Sequence, residues 1–170
     1  DFDFNRTAAR IAHLGLPGVH EILDMPWKDE ASGWIAVLRK ARAAGLKTNM
    51  ELVSLEPEII RAVTLPLLPW LDTLICNDHE AGALASIETV KDGIADAGAC
   101  RAAAEHLMQT TNLSLLAVHF PKGAVAMTRD GTVIEPRLYQ LIRQRGHVRE
   151  RTFEIAFLDP GVEVYAFTFG

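Results

Sequence analysis

The sequence predicts an α/β fold: a mostly parallel sheet with helices on both faces and a late antiparallel hairpin. Short apolar runs alternate with longer segments whose apolar residues recur every three or four positions, which indicates repeated strand–helix units. Asp130-Gly131 lies between two apolar runs and is a strong hairpin signal. The chain has 170 residues, of which 49% are hydrophobic and 23% charged, as expected for one globular domain.

Each predicted element has a local signal in the chain. The predicted strands are residues 10–16, 46–53, 71–76, 113–119, 123–128 and 132–134. The predicted helices are residues 31–44, 58–63, 78–86 and 99–110. Gly45 ends the first helix because glycine readily adopts the left-handed conformation found there, and Pro66 with Pro69 ends the second. Since strands and helices alternate, the sheet is expected to be parallel except for the hairpin at its edge.

The C-terminal segment differs in composition from the rest. Residues 137–151 hold five arginines and one acid, Glu150. We expect residues 1–136 to form the α/β core and residues 137–170 to form an atypical Arg-rich segment packed on the same domain. An exposed basic helix followed by two strands is the simplest interpretation of this segment. The alternatives are a phosphate-facing patch and a segment unrelated to the domain.

Charge and composition also exclude several classes of protein. The net charge of −5 argues against a nucleic-acid-binding protein. Cys76 and Cys100 lie in apolar or Ala-rich runs, which favours buried free thiols and a cytoplasmic location. No apolar run approaches the ~20 residues of a membrane-spanning helix, and the first residues do not resemble a signal peptide. Walker A, GxGxxG, GxSxG and HExxH patterns are absent from the sequence, so the corresponding nucleotide-binding, hydrolase and metal-site classes lack support.

The most informative stretch is residues 74–84, in which an apolar strand runs into Asn77 and a helix begins with Glu80. Ligands of open α/β sheets bind beyond the carboxyl ends of the strands. An amide and a carboxylate at that place can hold a hydrated Mg²⁺, which takes few protein ligands. The same spacing is that of a capping box, with Asn77 as N-cap and Glu80 as its partner. Spacing alone leaves both interpretations open.

The Asn77-x-x-Glu80 stretch resembles a motif of the ribokinase-like (PfkB) carbohydrate kinases. Three further stretches resemble the same family in the right order: residues 12–17 (AHLGLP), 41–49 (ARAAGLKTN) and 118–124 (VHFPKGA) followed by 128–131 (TRDG). The resemblance covers about residues 10–136. The early di-glycine sugar motif, the lid strands and the late Gly-Ala-Gly-Asp motif of that family are absent, and family members are considerably longer.

The resemblance implies a kinase that transfers a phosphoryl group from ATP to a sugar hydroxyl, with Mg²⁺ and ATP as cofactors. It implies cofactor binding by Asn77, Glu80, His119, Lys122 and Gly123, with Glu80 at the metal. It implies sugar binding by His20, Glu21, Asn49 and Glu51. Solvated loop residues, ordinary polar strand positions and an exposed turn lysine are the simpler interpretations of these side chains. No catalytic base is assigned; Asp159 is the first acid to examine, although it also fits an ordinary turn.

The absent Gly-Ala-Gly-Asp motif would supply both the base and the glycine anion hole of the family. A base contributes about 10²–10⁴-fold to the rate and one oxyanion-type donor about 10²–10³-fold. We therefore expect a truncated kinase-like chain with weak nucleotide binding and very low activity. The alternative is a non-catalytic binding or oligomerising module derived from such a kinase. An incomplete sheet exposes an apolar face or edge, which predicts a homo-oligomer.

Overall fold

The fold is built on a six-stranded β-sheet. The computed structural model describes residues 3–121, 123–130 and 133–134, the last two by their backbone. The sheet consists of β1 (Ile11–Gly15), β2 (Lys47–Glu51), β3 (Thr73–Asn77), β6 (Leu115–Phe120), β7 (Gly123–Thr128) and β8 (Val133–Ile134), in that spatial order. The strands β1, β2, β3 and β6 run parallel to one another, whereas β7 is antiparallel to β6 and β8 is antiparallel to β7. This confirms the predicted mostly parallel sheet with helices and a late antiparallel hairpin. Among the described residues the helices pack on one face of the sheet, and not on both faces as predicted, because the strand order β1-β2-β3-β6 carries every helical connection in the same direction.

Four helices connect the parallel strands, and their ends follow local sequence signals. They are α1 (Gly33–Ala43), α2 (Pro57–Thr64), α3 (Asp78–Ala85) and α4 (Ala97–Thr110). Ser32 and Asp96 accept main-chain hydrogen bonds as the N-caps of α1 and α4. Gly45, with φ of +81°, ends α1 in the left-handed region as predicted. Short 3₁₀ turns lie at Phe4–Arg6 and Leu68–Trp70.

The two faces of the sheet differ in their surroundings. The hydrophobic core joins residues of all four helices to one face of the sheet, whose main contributors are Met50, Leu74, Cys76, Leu116 and Val118. The opposite face carries polar side chains from neighbouring strands, including His13, Asn49, Thr73 and Asn77. Cys76 and Cys100 are buried and free, as predicted.

One element was not predicted. The residues between α3 and α4, for which no helix or strand was predicted, form a small antiparallel ribbon, β4 (Val90–Lys91) with β5 (Ile94–Ala95). Asp92 and Gly93 join its strands, both with positive φ, as the tightest hairpin turns require. The Asp-Gly pair is thus the same signal that correctly predicted the later hairpin.

The chain divides into two compact units, Asp1–Arg137 and Leu138–Gly170. The second unit, which contains Asp159 and most of the Arg-rich stretch, lies outside the described residues, so the helix and strands proposed there stay predictions. Among the described residues, no helix combines the length and apolar character needed to cross a membrane.

Candidate functional site

A polar cluster lies where the parallel strands end, around the first turn of α3. The side chain of Asn77 accepts a hydrogen bond from Glu80 N at 2.8 Å. Glu80 Oε2 in turn accepts from Asn77 N at 2.8 Å. These two bonds form a complete capping box, so the interpretation based on helix capping is confirmed.

Ser54 adds a contact that a capping box does not require. This serine follows β2, and its hydroxyl donates to Glu80 Oε1 at 3.1 Å. Asn77 Nδ2 donates both to Ser54 Oγ at 2.7 Å and to Glu80 Oε1 at 2.9 Å. The cluster therefore joins the segments that follow two neighbouring strands, and it positions the carboxylate from both.

Glu80 is nearly inaccessible, with 3% of its surface exposed. Burial raises the pKa of its carboxyl group, because a charge is poorly solvated there, although hydrogen bonds from Asn77 and Ser54 and the nearby His119 act in the opposite direction. His119 lies directly across from Asn77 on the neighbouring strand β6. The structure thus brings Asn77, Glu80 and His119 together, and their cofactor-binding roles stay predictions.

The cluster fits a hydrated cation better than a directly coordinated one. A carboxylate offers about four acceptor positions. Three are used by Asn77 N, Asn77 Nδ2 and Ser54 Oγ, which leaves one on Oε2. Within the described residues, no three His, Cys, Asp or Glu side chains are grouped so as to hold a metal ion. The remaining acceptor position can receive a hydrogen from a water bound to Mg²⁺, an ion that usually keeps several waters.

The predicted phosphate-side turn follows β6. Gly123 pairs with Phe120 across a tight connection, four residues beyond His119. A Cβ atom at Gly123 would lie 3.4 Å from the Phe120 ring, an ordinary van der Waals contact, so the space at this position does not by itself require glycine. Lys122 lies outside the described residues, and its predicted phosphate contact stays a prediction.

The loop after β1 holds two of the predicted sugar-side residues. Asp24 organises this loop by accepting hydrogen bonds from Gly18 N at 2.8 Å, His20 N at 2.6 Å and Trp34 Nε1 at 2.7 Å. Burial acts to raise the pKa of Asp24, but these donors outweigh it and hold the pKa below its usual range. The His20 ring stands edge-on to Trp34 at 5.1 Å, whereas Glu21 is exposed.

The other two predicted sugar-side residues lie on β2. Asn49 is 8% exposed and donates through Nδ2 to His13 Nδ1 at 2.6 Å, while Thr73 Oγ1 donates to its Oδ1. Glu51 Oε2 lies 3.5 Å from His13 Nε2, and its side chain is half-exposed. Sequence reasoning missed His13 because only the strand register places it directly opposite Asn49. Ser54 was missed for a similar reason, since its partners follow it by more than twenty residues.

Comparison with known proteins agrees with this architecture. A PfkB protein from Polaromonas sp. JS666 matches at 19% identity and a TM-score of 0.52, covering 75% of this chain and 40% of that protein. Phosphomethylpyrimidine kinase from Clostridium difficile matches at 13% identity and a TM-score of 0.56, covering 79% and 55%. Arabidopsis thaliana ribokinase, solved with ribose and ATP, matches at 17% identity and a TM-score of 0.52, covering 76% and 35%.

The fold is ribokinase-like. At these identities the likeness concerns the fold alone, and this chain spans only 35 to 55% of the length of those three proteins. A family model described as a thioredoxin-like C-terminal domain matches residues 112–170, about a third of the chain. That range includes β6, β7 and β8, which here continue the ribokinase-like sheet. No curated protein matches the sequence.

Proposed function

We propose that this protein is a sugar-kinase-like phosphotransferase whose described residues include the nucleotide side of the site. It would transfer the terminal phosphoryl group of ATP to a sugar hydroxyl. The observation that supports this most is the cluster around Glu80, a buried carboxylate with one remaining acceptor position, beside His119 at the carboxyl ends of β3 and β6. Ligands of open α/β sheets bind at such strand ends.

The roles of individual residues follow from their contacts. Asn77 and Ser54 orient the Glu80 carboxylate, and its remaining acceptor position receives a water of hydrated Mg²⁺. The cation supplies charge neutralisation on the phosphates when it is bound. His119 and the turn at Gly123, together with Lys122, face the nucleotide in this proposal. His20, Glu21, Asn49 and Glu51 face the sugar.

We expect weak activity, because the motif that supplies the anion hole in the ribokinase-like kinases is absent from this sequence. Without those donors the charge that develops on the transferring group is poorly stabilised. Slow phosphoryl transfer is therefore consistent with the proposal. A cytoplasmic location is also proposed, since the cysteines are free thiols and the proposed reaction uses ATP.

The test is Mg-ATP binding by calorimetry together with ATP consumption over a panel of sugars. Glu80→Gln should weaken binding by about 10- to 100-fold, the range for a lost hydrogen bond to a charged group. The matched control is Glu105→Gln, which changes an exposed carboxylate on α4 that pairs with Arg101 at 3.1 Å. Equal nucleotide affinity in wild type and Glu80→Gln would contradict the proposal.

A second candidate function is a non-catalytic oligomerising module. Several large apolar side chains on and after β1 are exposed: Ile11 at 59%, Leu16 at 42%, Val19 at 52% and Ile22 at 72%. An edge strand flanked by such residues favours association with another chain. Light scattering on dilute protein tests this candidate. A dimer or larger species without nucleotide binding would favour it over the kinase, and a monomer would contradict it.

A further inference from the structure

A row of polar side chains crosses three neighbouring strands on the sheet face opposite the core. His13 of β1, Asn49 of β2 and Thr73 of β3 are direct partners in the strand register. Their side chains form one chain of hydrogen bonds, from Thr73 Oγ1 to Asn49 Oδ1 and from Asn49 Nδ2 to His13 Nδ1. The His13 ring then continues to Glu51 through Nε2, at 3.5 Å from Oε2.

The direction of these bonds bears on the tautomer of the imidazole. In the structure the Thr73 hydroxyl donates to the Asn49 carbonyl oxygen, so the amide hydrogens of Asn49 point at His13 Nδ1. His13 Nδ1 is therefore an acceptor, and in the neutral ring the proton lies on Nε2. That proton faces the Glu51 carboxylate. With this orientation of the amide, the Nε2–H tautomer of His13 directs its proton toward Glu51 Oε2, which lies 3.5 Å away.

Of the three acids Glu51, Glu80 and Asp24, Glu51 combines an accessible carboxylate with a side-chain partner. Glu80 is 3% exposed and has three of its acceptor positions in use. The oxygens of Asp24 are engaged by three donors. Glu51 is half-exposed and contacts His13.

The position of Glu51 also suits the proposed nucleotide site. Its register partner is Ile75, two residues before Asn77 on β3, so Glu51 and Asn77 lie on the same sheet face. With strands about 4.8 Å apart and about 3.3 Å per residue, their Cα atoms are about 8 Å apart. A hydroxyl group and the phosphoryl group it attacks fit between side chains at that separation.

We propose that Glu51 is the general base for the acceptor hydroxyl and that His13 is its positioning residue. This rests on the proposed function. In the step, the hydroxyl oxygen forms a bond to the terminal phosphorus of the nucleoside triphosphate, and the bond from that phosphorus to the bridging oxygen breaks. The hydroxyl proton goes to Glu51, and the nucleoside diphosphate leaves. The acceptor class is a polyhydroxylated molecule, because the carboxylate lies beside the Asn49 and His13 row.

The experiment uses the full chain with Mg-ATP and a panel of polyols that includes D-ribose, D-fructose and glycerol. Glu51→Gln should lower kcat by about 10²-fold or more, the contribution of a general base, and leave the Kd of Mg-ATP within twofold. Glu51→Asp should restore part of the lost rate. His13→Phe should lower kcat by about 10- to 100-fold with little change in KM, whereas the control Glu105→Gln should match wild type.

A spectroscopic readout tests the hydrogen-bond row without turnover. Nitrogen-15 NMR of wild type should show His13 as the Nε2–H tautomer, and Asn49→Leu should give a mixture of tautomers. An Nδ1–H tautomer in wild type would overturn the role of His13.

The outcomes separate the two proposals. Absence of Mg-ATP binding by the wild-type protein, or equal Mg-ATP affinity in wild type and Glu80→Gln, would defeat the proposed function itself. Nucleotide binding with undiminished kcat in Glu51→Gln would overturn only the assignment of the base, as would nucleotide binding without turnover of any polyol in wild type.

Discussion

A carboxylate lies beside each end of β3, Asp72 just before the strand and Glu80 on the helix that follows it. The two environments shift the carboxyl pKa in opposite directions. At the amino end, Asp72 accepts hydrogen bonds from Thr48 N at 2.9 Å, Thr48 Oγ1 at 3.0 Å and Lys47 Nζ at 2.9 Å. Burial would raise the pKa of Asp72, but these donors and the lysine charge lower it. At the carboxyl end, burial prevails and the pKa of Glu80 is raised.

The difference arises from the partners and not from the kind of acid. Asp72 has a full positive charge within reach and keeps some solvent contact, with 14% of its side chain exposed. Glu80 has neutral donors, two imidazoles nearby and less solvent. A paired carboxylate of the first kind stabilises the fold, whereas a poorly solvated carboxylate of the second kind at a strand end is typical of functional sites. The amino end of β3 thus stabilises the fold by linking β3 to β2 through Asp72, and the carboxyl end is the candidate site.

Asp72→Ala should have the largest effect on stability. It removes the acceptor for the buried Thr48 N–H, while the Thr48 hydroxyl can still donate to Trp70 O at 2.7 Å. We expect the free energy of unfolding to fall by about 2–3 kcal/mol, the range for losing a hydrogen bond to a charged group and leaving its partner buried. Urea unfolding followed by circular dichroism measures the loss.

The matched control for that prediction is Lys47→Met, which removes the exposed partner of the same carboxylate. Because the lysine side chain is 70% exposed, its contribution should be about 1 kcal/mol or less. A larger loss for Lys47→Met than for Asp72→Ala would mean that the ion pair, and not the buried hydrogen bond, secures the amino end of β3.

Asn77 variants should show a smaller loss that depends on the cap. Asn77→Ala removes the acceptor for Glu80 N and should cost about 1–2 kcal/mol in unfolding free energy. Asn77→Ser keeps an N-cap oxygen but removes the amide that donates to Ser54 and Glu80, so the cost should be well under 1 kcal/mol. Thermal or urea unfolding distinguishes them. If Mg-ATP affinity falls in Asn77→Ser while stability is kept, the amide serves the site and not only the helix.

The sequence allowed the elements to be predicted, because strand and helix signals are local. Gly45 and the Asn77 cap both lie at the helix ends they specify. The Asn77–Glu80 spacing likewise identified the centre of the candidate site. The partners Ser54 and His13 could not be predicted, since their contacts depend on which strands become neighbours and in what register. The resemblance over residues 10–136 did not indicate a catalytic base either, because the Gly-Ala-Gly-Asp motif that supplies the base in that family is absent from this sequence.

The ribbon between α3 and α4 was missed for a different reason. Its turn residues, Asp92 and Gly93, carry a local signal that was visible in the chain. The flanking strands have only two residues each, so no alternating apolar pattern accompanies the turn. Its strands are too short to produce a period, and the turn signal alone was insufficient.

The stability contributions of the two carboxylates should depend on pH with opposite signs. The lowered pKa of Asp72 means that its contribution is complete above about pH 4 and is lost as the pH falls through its folded value. The raised pKa of Glu80 means that the folded state holds its proton more tightly, so stability relative to Glu80→Gln falls as the pH rises above about 4. Urea unfolding of Asp72→Asn, Glu80→Gln and wild type from acid to neutral pH tests this. Parallel profiles for the two variants would contradict the comparison.

Cys76 lies on β3 between Asp72 and Glu80. The reaction rate of its thiol therefore measures the opening of the strand without a substitution at the probe itself. Burial raises the pKa of its thiol well above the ordinary value, and burial raises that of Cys100 to about 11. Both thiols should react only slowly with an aromatic disulfide reagent in the native protein and rapidly in concentrated urea. In Asp72→Ala the slow native reaction should accelerate by up to about 100-fold, because 1.4 kcal/mol of lost stability raises the open population tenfold. Asn77→Ser should leave it nearly unchanged. Equal acceleration in both variants would mean that the two ends of β3 open together. The interactions of Asp72 would then contribute no more to the stability of the strand than those of Asn77.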